Sequence, residues 1–189
     1  YLMNIDDHFS ASTLGFGLKY YVDYQGIKNN SENYFSNAKI KGIQIILGQE
    51  MYLNAKRMTE KTENLHQVAL QVNLFLNKHI YIAGHTSFAN FGNAGAYAEG
   101  LAGGGVSSKF YFKNRINLFA QVLAGAAGGG DIGTGEGFIV KPTLGFNYRF
   151  NEKLNFRTSV GKVKARGGNL SSTTLSFGIN YNIGLLTIK

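Results

Sequence analysis

Cysteine and tryptophan are absent from the 189-residue chain, and proline occurs once, at Pro142. Without cysteine there is no disulfide framework and no thiolate metal site. A single proline leaves nearly every backbone N–H free to join a sheet ladder. No apolar run approaches the roughly 18 residues that a membrane-crossing helix needs. The chain opens at Tyr1 without a visible signal peptide, which fits a processed or truncated start. Acidic residues are also scarce, 11 against 19 Lys and Arg, for a net charge of +8. The basic residues are scattered over strands and turns, with no helix or aromatic platform to carry a basic stripe, so no nucleic-acid partner is expected. The four histidines, His8, His66, His79 and His85, show no metal-ligand spacing, and neither a metal nor a cofactor is expected.

What is present is alternation. In the stretch 138–160, Phe138, Val140, Leu144, Phe146, Tyr148 and Phe150 share one face, while Lys141, Thr143, Gly145, Asn147 and Arg149 share the other. After Asn151, Glu152 and Lys153 the two faces resume, with Leu154, Phe156 and Val160 on the apolar side. Strict period-two patterning is a β signal. Runs of about a dozen residues exceed the ~5–6 of an ordinary strand and suit the ~9–11 tilted residues that cross a bilayer core.

The same pattern recurs in nine segments: 10–24, 38–53, 66–76, 80–89, 95–112, 116–127, 138–150, 154–161 and 172–183. Tight polar turns at 77–79, 113–115 and 151–153 alternate with longer connections at 54–64, 128–137 and 162–169. This predicts an all-β fold, a closed antiparallel transmembrane β-barrel with short turns on one rim and longer loops on the other, as one domain over 1–189. An even strand number is required, so residues 1–7 are counted as the remnant of a tenth strand; ten strands are expected, with eight as the alternative.

Three constellations are candidates for function. The inward face gathers charges: Lys19, Glu50, His85, Glu99, Lys109, Lys141, Arg149 and Arg157 are expected to form a lumen ion-pair network, because charges out of water need partners. A hairpin centred on Gly92 would set His85 opposite Glu99 with Ser87 on the same face, an arrangement able to activate a nucleophile. Outward positions Ala98, Gly100, Ala102, Gly104, Ala124 and Ala126 form a side-chain-poor strip, with Ala102 expected opposite Ala126 and Gly104 opposite Ala124. Small residues let another backbone approach closely in a membrane, so the strip is a candidate contact for a membrane protein or a second copy. The Gly-rich stretch 128–137 lacks the Gly-Lys-Ser/Thr ending of a phosphate loop and is expected to be a mobile external loop.

The alternation, the turn and loop asymmetry, and the last strand Thr-Leu-Ser-Phe-Gly-Ile-Asn-Tyr-Asn-Ile at 174–183 resemble small bacterial outer-membrane barrels of the outer membrane protein A, X and W type. That resemblance implies a porin-like cell-envelope protein in the outer membrane of a Gram-negative bacterium, in contact with membrane lipid or lipopolysaccharide. The His-x-Ser pair, with Glu99 fourteen residues beyond His85, resembles the motif of outer-membrane lipid A deacylases. By that resemblance Ser87 is the nucleophile, His85 its base and Glu99 the orienting carboxylate. The alternation turns all three into the lumen, away from lipid, so interior packing is preferred to hydrolysis. The expected role is therefore structural, anchoring or partner-binding, in a barrel whose narrow lumen its own side chains fill. The alternatives are the hydrolase and a narrow pore for small solutes.

Overall fold

A computed structural model describes residues 42–59, 61–91 and 95–183. Eight strands follow in chain order: β1 (Gly42–Lys56), β2 (Thr62–Phe75), β3 (Ile80–Phe91), β4 (Tyr97–Ser107), β5 (Ile116–Gly129), β6 (Phe138–Arg149), β7 (Leu154–Ala165) and β8 (Ser171–Ile183). Each pairs antiparallel with the next, and β8 pairs with β1 from Ile43–Ile183 to Leu53–Thr173, closing the ring. The barrel lies within residues 38–189. The expected strand at 10–24 and the remnant at 1–7 fall outside the described residues. The wall closes with eight strands rather than ten, because the β1–β8 ladder leaves no edge to which another strand could add.

The ladder registers set the barrel's width. A walk across paired residues from Gly42 passes Phe75, Tyr81, Gly105, Gln121, Thr143, Gly161 and Thr174 and returns to β1 at Tyr52, ten residues further on. Eight strands with that stagger tilt by about 40° and enclose a backbone cylinder about 8 Å in radius. Ten residues so tilted rise about 25 Å along the axis, the height of the apolar band of an outer-membrane barrel.

The wall is inside out relative to a water-soluble protein. Leu47, Ile82, Phe88, Leu144, Val160 and Phe177 are among the exposed large apolar residues, whereas Gln67, Asn73, Glu99, Lys141 and Asn180 are buried. At the 76–79, 108–115 and 150–153 rim, Tyr111, Phe112, Phe150 and Tyr181 are exposed aromatics, and Tyr148 packs edge-on against Phe150 at 5.5 Å. Rings at that level match the aromatic girdle of membrane barrels. The Ile43–Ile183 end of the ring-closing ladder lies at this turn rim.

Several boundaries differ from the sequence reading. β4 ends at Ser107 rather than 112, because Phe112, Lys113 and Asn114 take positive φ and build a wide turn over 108–115. β7 continues to Ala165, through residues expected in a loop. β1 and β2 extend to Lys56 and from Thr62, so little of the charged 54–64 stretch is loop. The 130–137 loop is not a free arm. Its Asp131 carbonyl accepts from the Met58 N–H, Gly133 donates to the Lys56 carbonyl, and the Gly133 carbonyl accepts from Leu170. Asp131 and Gly135 adopt the positive φ that such a compact path demands.

Candidate functional site: the filled lumen

The lumen is built in three tiers. Nearest the turn rim is a chain of carboxamides. Asn73 donates to Gln44 at 2.9 Å, Gln44 to Asn182 at 3.0 Å, and Gln71 to Asn73 at 2.7 Å. A second chain runs from Asn180 to Asn147 at 2.8 Å and from Asn147 to Asn117 at 3.1 Å. Gln121 joins this tier to the next, its Oε1 accepting from Gln71, Tyr81 and Arg157 at 2.9, 3.1 and 2.9 Å. Amides serve here because each offers both donor and acceptor, so a polar interior closes on itself without net charge.

The middle tier is an ion cluster. The Lys141 ammonium, whose residue is 1 % exposed, donates to both Glu50 carboxylate oxygens at 3.0 Å, to Glu99 Oε1 at 2.5 Å and to the Tyr52 hydroxyl at 3.2 Å. Glu99 Oε2 accepts from the Tyr52 and Tyr97 hydroxyls. His85 Nε2 lies 3.1 Å from Glu99 Oε1, 3.4 Å from Glu50 Oε2 and 3.0 Å from Lys141 Nζ. A single ring nitrogen either donates to a carboxylate or accepts from the ammonium, so the role of Nε2 follows the tautomer and protonation of His85. Its Nδ1 is buried without a protein partner. Glu50, His85 and Glu99 bring donor atoms within 4.8 Å of one another, a grouping able to hold a cation, and Lys141 supplies that cation from within the chain.

The third tier, at the loop rim, is apolar. Leu65, Leu123, Ile139 and Val163 from the wall pack with Ile132 and Leu170 from the loops, all nearly inaccessible. Ile132 is carried into place by its bridge to Arg57, and Leu170 by its bond to Gly133. Among the described residues, a cavity of about 40 Å³ remains inside the wall, bordered by Glu50, Gln71, His85, Lys141, Thr143 and Arg157.

The expected network is only partly assembled. Glu50, His85, Glu99 and Lys141 meet. Arg157 is buried in the lumen, but its partners are Gln121 and the Phe119 ring, 3.3 Å from the guanidinium carbon, rather than a carboxylate. Arg149 is half-buried at the turn rim over Phe110. Lys109 is exposed in the 108–115 turn, outside the lumen, because β4 ends before reaching it. Lys19 lies outside the described residues. The carboxamide tiers and the Tyr52–Tyr97 pair were missed; an inward run of Asn and Gln at every second position was the available signal.

The Ser87–His85–Glu99 relay does not form. Ser87, not His85, pairs directly across from Glu99, because the register is two residues from that of a hairpin centred on Gly92. Ser87 Oγ donates to Gln67 Oε1 at 2.6 Å, and His85 Nε2 faces Glu99 and Glu50 rather than Ser87. Ser87 is fully buried in the lumen, out of reach of a lipid acyl bond.

The small-residue strip faces outward, with a shifted register. Ala102 meets Ala124, and Gly100 meets Ala126; Gly104 meets Val122. Gly84 on β3 and Thr86 extend it sideways. A Cβ added at Gly84, Gly100 or Gly128 would meet nothing within 4 Å, so barrel packing does not require glycine there. Inward Gly103 and Gly125 differ, since a Cβ at either would collide with a carbonyl of the neighbouring strand.

No family model matches the sequence, and no curated protein matches it. Solved structures match the fold. Neisserial surface protein A aligns with a TM-score of 0.54 at 10% identity, covering 74% of this chain and 96% of that one. The N-terminal β-barrel domain of Pseudomonas aeruginosa OprF aligns with a TM-score of 0.55 at 10% identity, covering 76% and 98%. A de novo designed transmembrane β-barrel aligns with a TM-score of 0.53 at 11% identity, covering 77% and 98%. The fold is that of small outer-membrane β-barrels. A designed chain shares it, so the fold alone assigns no activity.

Replacing Lys141 with methionine leaves two carboxylates buried side by side without the ammonium that bridges them. We expect Lys141→Met to lower unfolding stability by about 3–5 kcal/mol in urea titrations of the folded, lipid-reconstituted protein. Adding Glu50→Gln and Glu99→Gln to the same chain should recover most of that loss. An unchanged midpoint in Lys141→Met would show that the cluster carries no such weight.

Proposed function

We propose that this chain is a non-conducting outer-membrane barrel that acts as an anchor and partner-binding surface through its wall and loops. The observation that carries this reading is the filled bore: amides, the Lys141 ion cluster and the Ile132–Leu170 cap occupy successive levels of it. A cylinder about 8 Å in backbone radius has little room beyond its own side chains. The alternation of exposed apolar and buried polar residues supports a bilayer setting, and the fold supports the bacterial outer membrane with its lipid or lipopolysaccharide. Reconstituted into planar bilayers, the full chain should give no stepwise conductance. Reproducible steps that change when Arg157 is replaced by glutamine would favour the narrow-pore reading instead.

The strip of Gly84, Gly100, Ala102, Ala124 and Ala126 is the part of the wall suited to close backbone contact with a membrane protein or a second copy. Gly100→Phe with Ala102→Phe should reduce the assembly mass measured in mild detergent. An unaltered mass would remove the strip from the account.

A further inference from the structure

The outer end of β7 breaks the apolar wall with cations. Lys162 and Lys164 are exposed on the face that carries Val160 below them, and Arg166 follows in the same alternation. Across the ladder Lys162 pairs with Thr173 and Lys164 with Ser171, both exposed on β8. Among the described residues neither lysine has a carboxylate within ion-pair distance. Arg166 has one, Glu136 at 3.9 Å, with both side chains more than 70 % exposed, so that pair is weak.

Their height defines what they meet. β7 runs from the turn rim, at Leu154, to the loop rim beyond Ala165. Lys162 follows Val160, the last apolar outward residue of β7, so the three cations begin where the apolar face of that strand ends. Val140, opposite Lys164 on β6, and exposed Phe138 carry apolar surface beside them. At that level a wall-facing ammonium sits among lipid head groups, where an anionic surface attracts it. Lysine stems reach along apolar surface and hold their charge at the interface.

Resting on the outer-membrane reading above, we propose that Lys162, Lys164 and Arg166, with the Ser171 and Thr173 hydroxyls, form a binding site for a lipid carrying two phosphate groups, namely the bis-phosphorylated disaccharide lipid of the outer leaflet. Spacing selects this occupant. Lys162 and Lys164 lie two strand residues, about 7 Å, apart, and Arg166 lies one residue past the end of β7, so the column spans at most about 13 Å. One phosphodiester head group engages one or two of the three positions, whereas a head group with two well-separated phosphates engages both ends of the column at once. The hydroxyls of β8 face the intervening sugar.

The test uses the full chain folded in nanodiscs of zwitterionic lipid, with purified bis-phosphorylated lipid A, its monophosphorylated form, or phosphatidylglycerol added and the retained lipid counted by native mass spectrometry. Circular dichroism confirms that each variant folds. Wild type should retain bis-phosphorylated lipid A at least about tenfold better than the K162Q/K164Q/R166Q variant, and better than the monophosphorylated form. Phosphatidylglycerol retention should change little between the two chains. The charge-conserving K162R/K164R/R166K variant should bind as wild type does. Equal retention of bis-phosphorylated lipid A by wild type and the glutamine variant would overturn the site. So would parallel loss of lipid A and phosphatidylglycerol, which reports only general surface charge.

Discussion

A backbone in hydrocarbon has no water to turn to, so every N–H and C=O in the wall must find a partner within the sheet. The β1–β8 ladder meets that demand, and the rest of the architecture depends on it. Closure fixes an eight-stranded ring, and the ten-residue stagger then fixes tilt, radius and height together. Pro142, which has no N–H, shows the tolerance of the scheme. The β6–β7 ladder skips Lys141 and Pro142 and resumes at Thr143, while Pro142 keeps its place opposite Val122 on β5.

A narrow ring brings inward side chains from opposite walls into contact. Lys141 on β6 reaches Glu50 on β1, His85 on β3 and Glu99 on β4. Such a cluster forms because the bore is too thin to hydrate each charge separately, and burial without partners would be costly. The same narrowness lets Gln121 serve three donors from three strands. Lipid outside and a crowded polar bore inside divide the sequence into odd and even positions, and the two divisions support each other.

Much of this was legible in the chain. The alternation of 138–160 assigned β6, and β7 as far as Val160, to their faces, and the Lys141, Glu50 and Glu99 charges were inward by parity alone. Parity does not fix register, however. A two-residue slip preserves every face, so the pairing of Ser87 with Glu99 and of Ala102 with Ala124 escaped the pattern. Strand ends were similarly hidden. Nothing in the alternation through Phe110 and Phe112 announces the positive φ values that end β4 and put Lys109 outside. The apolar cap was illegible because Ile132 and Leu170 are single apolar residues in polar loops, and their burial depends on bonds between loops distant in sequence.

The central claim is that neighbouring residues of one strand face two media. The absence of native cysteine makes it directly measurable. Single cysteines placed in turn at positions 143–148 of β6 and spin-labelled in lipid vesicles should show oxygen accessibility that alternates with period two. Leu144, Phe146 and Tyr148 should be open to oxygen dissolved in lipid, and Thr143, Gly145 and Asn147 shielded from it. Uniform access to a water-borne relaxation agent along the whole stretch, with no alternation, would contradict the account.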